Sequence, residues 1–298
     1  MDIIDQKVSI IMPTYNRAAY ITETIQSIQH QTYPNWELII VDDGSEDNTE
    51  EIVTAIKDER LQFYKAGRIG IGGKTKNIGL QKANGELISF MDSDDLWAST
   101  KIEKQVESLR RYPEAGFSLT GGYNFKKINE PLEYFYKQKE GIRFDNIFIS
   151  CFKSEVAGFT QSLMLRKECL AITGPFKELN SFSDMDFIIS LASKFKAIIL
   201  YEPLFFRRLH DVNYSNLNWE KWHYQGLDMI RSYKDSLPSS VFTDALFRSH
   251  INLGEKYLKH GKKGKAIQQF LTAMNEKPFN IIPLKKIAKA IIYFLNGK

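Results

Sequence analysis

Residues 86–97 read ELISFMDSDDLW, a short, mostly apolar run, Glu86–Met91, that breaks into Asp92-Ser93-Asp94-Asp95. An apolar run of this length closed by turn formers predicts a buried strand with acids at its carboxyl end. Alternate side chains of an extended segment share a face, so Asp92 and Asp94 point the same way and can approach one hard cation. Mg²⁺ or Mn²⁺ prefers oxygen ligands and keeps substrate phosphates in its shell, which suits so sparse a carboxylate site. The same acids can equally form the turn and cap the helix that follows.

Working outward, the pattern recurs twice on the N-terminal side. Val8–Met12 ends in Pro13-Thr14-Tyr15-Asn16, and Glu37–Val41 ends in Asp42-Asp43-Gly44-Ser45. Ile21, Ile25 and Ile28 recur at helical spacing after the first strand, and Ile52, Val53 and Ile56 line a helix after the second. A short strand near Gln62–Lys65, a Gly-rich loop at 67–73 and a helix over about 74–83 complete the series. Thr100-x-x-Glu103 has the spacing of a capping box for a helix through Leu109. Strands alternating with helices predict an α/β fold, a largely parallel sheet with helices on both faces. Ligands of such sheets sit beyond the carboxyl ends of the strands, so Thr14-Tyr15, Asp42-Asp43 and Asp92–Asp94 should share one rim.

Each cluster has its own chemistry. A strand-end Asp can accept a ring N–H from a nucleobase, and Gly44 lets the chain turn sharply there. A receiver domain also pairs acids at a strand end, but on its first strand, whereas here the pair follows the second. Gly67–Gly73 lacks the GxxxxGK[ST] phosphate-loop spacing, and the strand at 8–12 lacks a dinucleotide fingerprint. Lys76 can contact a phosphate or base, or simply be a solvated helix lysine. Asp184, in Ser183-Asp184-Met185-Asp186, opens a helix, where an acid caps by default; its functional alternative is a general base for an incoming hydroxyl. Of the five histidines only His210 stands in a polar cluster, Arg207-Arg208-Leu209-His210-Asp211, suited to a pyrophosphate and its metal.

With 43% apolar and 26% charged residues in 298, the chain has the composition of a globular protein with a large core, which excludes collagen-like, disordered and disulfide-scaffold classes. MDIIDQK has two acids before any apolar run, unlike a secretory leader, so a cytoplasmic location is expected. No uncharged apolar stretch approaches the roughly 18–20 residues of a membrane span. Cys151 and Cys169, without a CxxC or a nearby His, predict reduced core thiols. The net charge of +4 hides an asymmetry: from Leu253 onward ten lysines face two glutamates, +8, leaving −4 for the body. Residues after about 216 read helical, and Leu253-Gly254-x-x-Tyr257 with Ala266-x-x-x-Phe270 fits a helical hairpin. Ile281, Leu284, Ile287 or Ala288, Ile291 and Leu295 can share one face of a basic amphipathic segment. Docking on the protein's own core is the favoured reading of that face, and attachment to an anionic membrane through 280–298 is the other.

Taken together, VSIIMPTYNR at 8–17, ELIIVDDGSEDNT at 37–49, KNIGLQKANGELISFMDSDDLW at 76–97, SDMDF at 183–187 and RRLHDVNYS at 207–215 resemble the inverting glycosyltransferases of family 2, in order and approximate spacing. The resemblance implies a GT-A-type three-layer α/β/α domain with a mostly parallel mixed sheet, plus a C-terminal helical extension. Residues 1–111 would form the nucleotide-sugar-binding half, 112–215 the acceptor-binding and catalytic-base half, and 216–298 the basic helical region. It further implies a nucleotide-sugar donor, with UDP as its nucleotide, and a glycan or lipid-linked acceptor of a bacterial envelope.

Under that resemblance Pro13, Thr14, Tyr15, Asp43, Lys76, Asp92 and Ser93 contact the nucleotide sugar, with Thr14, Tyr15 and Asp43 at the base and Asp92 near the ribose. Asp94 binds a divalent cation, Mn or Mg, that bridges the diphosphate, and His210 approaches it. Asp184 matches the catalytic base. Ser183 stands where a Glu is usual, and Lys76 replaces an Arg, exchanging a bidentate fork for a point charge. Two other classes stay open, a nucleotidyltransferase and a catalytically inactive binding module of the same fold. The basic tail is read as separate from the sugar-nucleotide site, and no nucleic-acid partner is expected.

Overall fold

The computed structural model describes residues 6–128, 130–136, 139–179, 182–210 and 218–295. In chain order its strands are β1 (Val8–Thr14), β2 (Trp36–Asp42), β3 (Leu61–Lys65), β4 (Leu87–Phe90), β5 (Leu96–Trp97), β6 (Ala115–Phe125), β7 (Pro131–Tyr134), β8 (Ile142–Asp145), β9 (Met164–Arg166) and β10 (Lys196–Arg208). Its helices are α1 (Ile21–Gln29), α2 (Thr49–Ala55), α3 (Gly72–Lys82), α4 (Lys101–Arg111), α5 (Phe148–Phe152), α6 (Leu170–Thr173), α7 (Ser183–Ala192), α8 (Trp219–Ser232), α9 (Ser239–Lys259), α10 (Lys263–Glu276) and α11 (Ile282–Leu295).

Two compact units result, one of residues 1–148 and 157–211, the other of 149–156 and 212–298. All ten strands lie in the first, in the order β3-β2-β1-β4-β9-β6-β10-β5, with β7 beside β6 and β8 beside β10. Residues 112–211 thus add strands to the same sheet as 1–111, and the two expected halves are one unit. The sheet is parallel from β3 to β4 and between β6 and β10. β9 runs antiparallel between β4 and β6, and β5, β7 and β8 pair antiparallel at the margins. β2 is buried along its whole length, as a central parallel strand covered on both faces should be.

Strand alternation sorts the core into two layers. Val8, Ile10, Met12, Leu38 and Ile40 pack with Ile21, Ile25 and Ile28 of α1 and with Ile102, Val106 and Leu109 of α4. On the other face the ring of Phe90 meets Phe176 at 5.1 Å and Phe187 of α7 at 6.0 Å. The sequence has two apolar runs, Ala197–Tyr201 and Leu204–Phe206, which form one strand, β10, whose pairing with β6 shifts register around Leu200 and Pro203. Proline has no N–H for the ladder, so it sits at such an irregularity. Thr100 precedes α4 but makes no capping hydrogen bond, and Glu103 instead accepts from Thr32 Oγ1 at 2.7 Å. The expected capping box is therefore not formed.

In the second unit α9 and α10 form the expected hairpin. Any Cβ at Gly254 would lie 2.4 Å from the Phe270 ring, so only glycine permits this approach. His250 Nδ1 meets Gln269 Oε1 at 2.8 Å between the same two helices. Glu220 of α8 accepts from Lys265 at 2.7 Å and Lys262 at 2.9 Å; with Lys265 the largest cause, its carboxyl is lowered to about 2. On α11, Pro283 and Ala290 are buried, while Ile281 and Leu284 stay more than half exposed. Only part of the expected apolar face is thus covered, and the side chains of Ile291 and Leu295 lie outside the described residues. Cys151 and Cys169 are both buried. No helix among the described residues is long and apolar enough to cross a membrane.

Candidate active site

Because β2, β1 and β4 are adjacent and parallel, their carboxyl ends bring Asp42-Asp43, Thr14-Tyr15 and Asp92–Asp95 to one edge of the sheet. Asn16, at φ +50°, turns the chain after β1; its N–H donates to Ser45 Oγ at 2.9 Å and its Oδ1 accepts from Glu46 N at 2.8 Å. The two turns are therefore knitted together. Asp42 is occupied with the Ser45 backbone and hydroxyl, leaving Asp43 to face the rim.

Asp43 is covered by the Gly-rich loop. It accepts from Arg68 Nη1, from Ile69 N at 2.6 Å and from Gly70 N at 3.0 Å, and the Arg68 guanidinium lies over the Tyr15 ring, 3.8 Å from its centroid. Gly44 has φ +78°, and a Cβ there would stand 2.9 Å from the Arg68 nitrogen, so glycine admits the loop as well as the turn. Thr14 Oγ1 is buried and has no hydrogen-bond partner among the described residues. An unsatisfied buried hydroxyl on a polar rim suits a ligand that supplies the missing bond.

The four residues from Asp92 to Asp95 divide by environment. Burial raises Asp92 to about 6, helped by the charges of Asp184 and Asp94 and opposed by Lys76 and Arg207. Gln161 Nε2 donates to Asp92 Oδ2 at 2.5 Å and to Asp95 Oδ2 at 2.6 Å. Asp95, raised well above the usual range by burial, also accepts from Arg208 N at 2.8 Å and fastens the end of β10. Ser93 is buried in the turn between them. Burial would raise Asp94 too, but the His210 hydrogen bond and the Arg17 charge hold it below its ordinary value.

Asp94 Oδ2 lies 2.9 Å from both His210 Nε2 and Arg17 Nε. Among the described residues no group of three His, Cys, Asp or Glu side chains stands together as a metal site. Two ligand atoms each about 2.1 Å from an octahedral ion, at right angles, are about 3 Å apart. The Asp94–His210 spacing therefore fits two neighbouring ligand positions, with the rest left to water or phosphate oxygens. His210 is seated by stacking on Tyr20, ring centroids 5.1 Å apart. Arg208 is committed elsewhere, donating to Asp94 O at 2.8 Å and Glu23 Oε2 at 2.6 Å, whereas the charge of Arg207 acts on Asp92. Asp211 and the rest of the expected 207–215 motif lie outside the described residues.

Asp184 stands in the first turn of α7, and Phe182, immediately before the helix, is held at φ +60°. Lys76 Nζ donates to Asp184 Oδ1 at 2.6 Å and to Thr160 Oγ1 at 3.0 Å, and the Thr160 hydroxyl donates to Asp184 Oδ2 at 3.0 Å. Burial would depress Lys76, but Asp184 and Asp92 outweigh it and raise its ammonium above the ordinary lysine value. Lys76 is thus placed with Asp184 rather than with Tyr15 and Asp43. Sequence reasoning missed Arg17, Arg68, Thr160 and Gln161, because none carries a local signal; Arg17 lies within the quoted first motif and Arg68 within the glycine loop.

The sequence profile of "Glycosyl transferase family 2" matches residues 9–169. TuaG of Bacillus subtilis, a glycosyltransferase named for teichuronic acid biosynthesis, is 31% identical over 216 residues, covering 72% of this chain and 83% of the relative. WfgD of Escherichia coli, named as a UDP-Glc:alpha-D-GlcNAc-diphosphoundecaprenol beta-1,3-glucosyltransferase, is 41% identical over 109 residues, 35% of this chain and 42% of that protein. Among solved structures, residues 1–349 of S. aureus TarS with UDP-GlcNAc superpose with a TM-score of 0.68 at 18% identity, covering 98% of this chain and 92% of the other.

Proposed function

The chain belongs to glycosyl transferase family 2, with the GT-A fold and glycosyl transfer as its chemistry, and from that premise we propose an inverting, divalent-cation-assisted reaction. The donor is a nucleoside-diphosphate sugar, with UDP as its nucleotide, and the acceptor is a hydroxyl of a glycan or lipid-linked glycan of the bacterial surface. The observation that carries the proposal is the meeting of Asp184, held by Lys76 and Thr160, with the acidic rim of Asp92 and Asp94.

In this reading Thr14, Tyr15 and Asp43 hold the base, Asp92 lies near the ribose, and Arg207 offers positive charge to the diphosphate. Asp94 and His210 would hold the cation, which stabilises the charge developing on the departing nucleoside diphosphate. Asp184 takes the proton of the acceptor hydroxyl as its oxygen bonds to the anomeric carbon and the bond from that carbon to the phosphate oxygen breaks. A single displacement from the opposite side inverts the configuration. Lys76 and Thr160 fix the direction from which Asp184 accepts the proton.

A panel of nucleotide sugars with Mn²⁺ or Mg²⁺ and envelope-glycan acceptors tests this by the product released. Nucleoside diphosphate release from a UDP-sugar is the expected result. Pyrophosphate release from a nucleoside triphosphate supplied with a sugar 1-phosphate would make the chain a nucleotidyltransferase, and binding of the nucleotide sugars without turnover an inactive module.

Peripheral membrane contact through 280–298 belongs to the same proposal. Phe279 is fully exposed, and Ile281, Ile282 and Leu284 beside it are 43–57% exposed, next to Lys285 on a segment of net positive charge. Such a basic apolar edge suits an anionic bilayer surface. Flotation with anionic vesicles should be lost in a Phe279→Ser, Ile282→Ser variant; equal flotation of both proteins would reject this contact.

A further inference from the structure

Arg68 presents to the rim what a nucleobase would present. Its planar guanidinium lies on the Tyr15 ring, 3.8 Å from the centroid, and its N–H edge meets the Asp43 carboxylate. A flat, delocalised cation stacked on an aromatic ring and bonded at its edge to a carboxylate uses the same two contacts as a stacked base with a ring N–H. The next two residues complete the cover, since the Ile69 and Gly70 N–H groups also donate to Asp43, at 2.6 and 3.0 Å. Tyr15 and Asp43 therefore have no room for a base while this loop is down.

The loop is also built to leave. Gly67 and Gly70 have φ of +69° and +74°, and an added Cβ on Gly67 would meet nothing within 4 Å, while one on Gly70 would meet only the Arg68 side chain. These glycines serve backbone freedom, not tight packing. Gly44 is the opposite case, pressed against the Arg68 backbone, and marks where the loop lands. The Arg68 side chain is about half exposed, 53%, so its own charge passes readily into solvent, while the Asp43 carboxylate, only 11% exposed, is left for the incoming base N–H to satisfy.

We propose that Arg68 is a place-holder for the nucleobase, closing the donor site in the free protein, and that a nucleoside diphosphate binds by displacing it. This rests on the nucleotide-sugar reading of the rim and adds to it a residue that sets donor affinity and entry rate. A ligand that binds only the open state sees its affinity reduced by the open fraction, so emptying the seat removes that reduction.

The test uses the full chain, wild type and Arg68→Ala, titrated calorimetrically with UDP, GDP, CDP and TDP, with stopped-flow association and amide exchange at Ile69 and Gly70. The expected result is UDP binding tighter in Arg68→Ala by about three- to tenfold, through faster association. In the wild-type complex the Ile69 and Gly70 amides should exchange faster than in the free protein. Weaker UDP binding by Arg68→Ala, with those amides more protected in the complex, would overturn the proposal and make Arg68 a clamp on the bound nucleotide. If neither protein binds any of the four diphosphates, the nucleotide reading itself falls and the place-holder with it.

Discussion

Lys76 Nζ lies 2.6 Å from Asp184 Oδ1, a buried ammonium against the carboxylate that should take the acceptor proton. The pair bridges α3 and α7, 108 residues apart in sequence, and Thr160 closes the triangle. A residue that aims a base affects turnover more than donor binding. Lys76→Met should lower kcat by about 10–100-fold, the scale of a misplaced catalytic group, with UDP affinity changed less than about threefold. Lys76→Arg should restore part of kcat. A tenfold loss of UDP affinity with kcat intact would return Lys76 to the nucleotide.

Arg17 and His210 share one oxygen of Asp94. If that oxygen is a metal ligand, both neighbours tune it. His210→Ala should raise the Mn²⁺ concentration needed for half-maximal activity by about tenfold or more, whereas Arg17→Leu removes a like charge competing for that oxygen and should leave it unchanged or lower it. Chelation should abolish wild-type turnover and excess Mn²⁺ restore it. An unchanged Mn²⁺ requirement in His210→Ala, or a raised one in Arg17→Leu, would contradict this placement of the cation.

The partnerless Thr14 hydroxyl makes a sharper prediction than its neighbours do. Thr14→Val deletes a buried group that has no bond to lose, so thermal stability of the free protein should be unchanged or higher. UDP affinity should fall by about five- to tenfold, the worth of one hydrogen bond. Calorimetry that finds the affinity unaffected would show that no ligand bonds this hydroxyl.

Glu37, at the opposite end of β2, is expected to contribute to acid sensitivity. It accepts from Ser9 Oγ at 2.6 Å and Asn84 N at 2.8 Å and pairs with Lys7 at 2.8 Å. Burial would raise its carboxyl, but Lys7, Ser9 and Asn84 lower it from 4.5 to about 2. A carboxylate depressed on folding stabilises the protein fully above its unfolded value, and that stability is lost as pH falls from 4.5 towards about 2. With screening at the half-exposed Lys7, the contribution is on the order of 2 kcal/mol. Glu37→Gln should lose that amount at pH 7 and show a flatter decline below pH 4.5 in denaturant titrations; a parallel decline would contradict this.

Much of this was legible because strand ends announce themselves. Val8–Met12, Glu37–Val41 and Leu87–Met91 each run apolar into a polar turn, so the shared rim followed from parallel order alone. Asp43, Asp94 and Asp184 stand on local motifs that single them out as candidates; Arg68 and Thr160 act through chain crossings that no periodicity records. Lys76 was seen, but only the packing of α3 against α7 reveals that it faces Asp184. The register shift in β10 at Pro203 splits its apolar pattern into two runs, and no local signal shows that β6 pairs in parallel with β10 across about 80 residues. Thr100 and Glu103 show the converse, a legible local signal that tertiary contacts overrode.

The central claim is that Asp184 removes the acceptor proton. The direct measurement is transfer by Asp184→Asn alongside calorimetric UDP binding, since the amide keeps the shape of the side chain and removes its basicity. The account predicts UDP affinity within about threefold of wild type and transfer reduced by about 10²–10⁴. Transfer at the wild-type rate with normal UDP binding would contradict it.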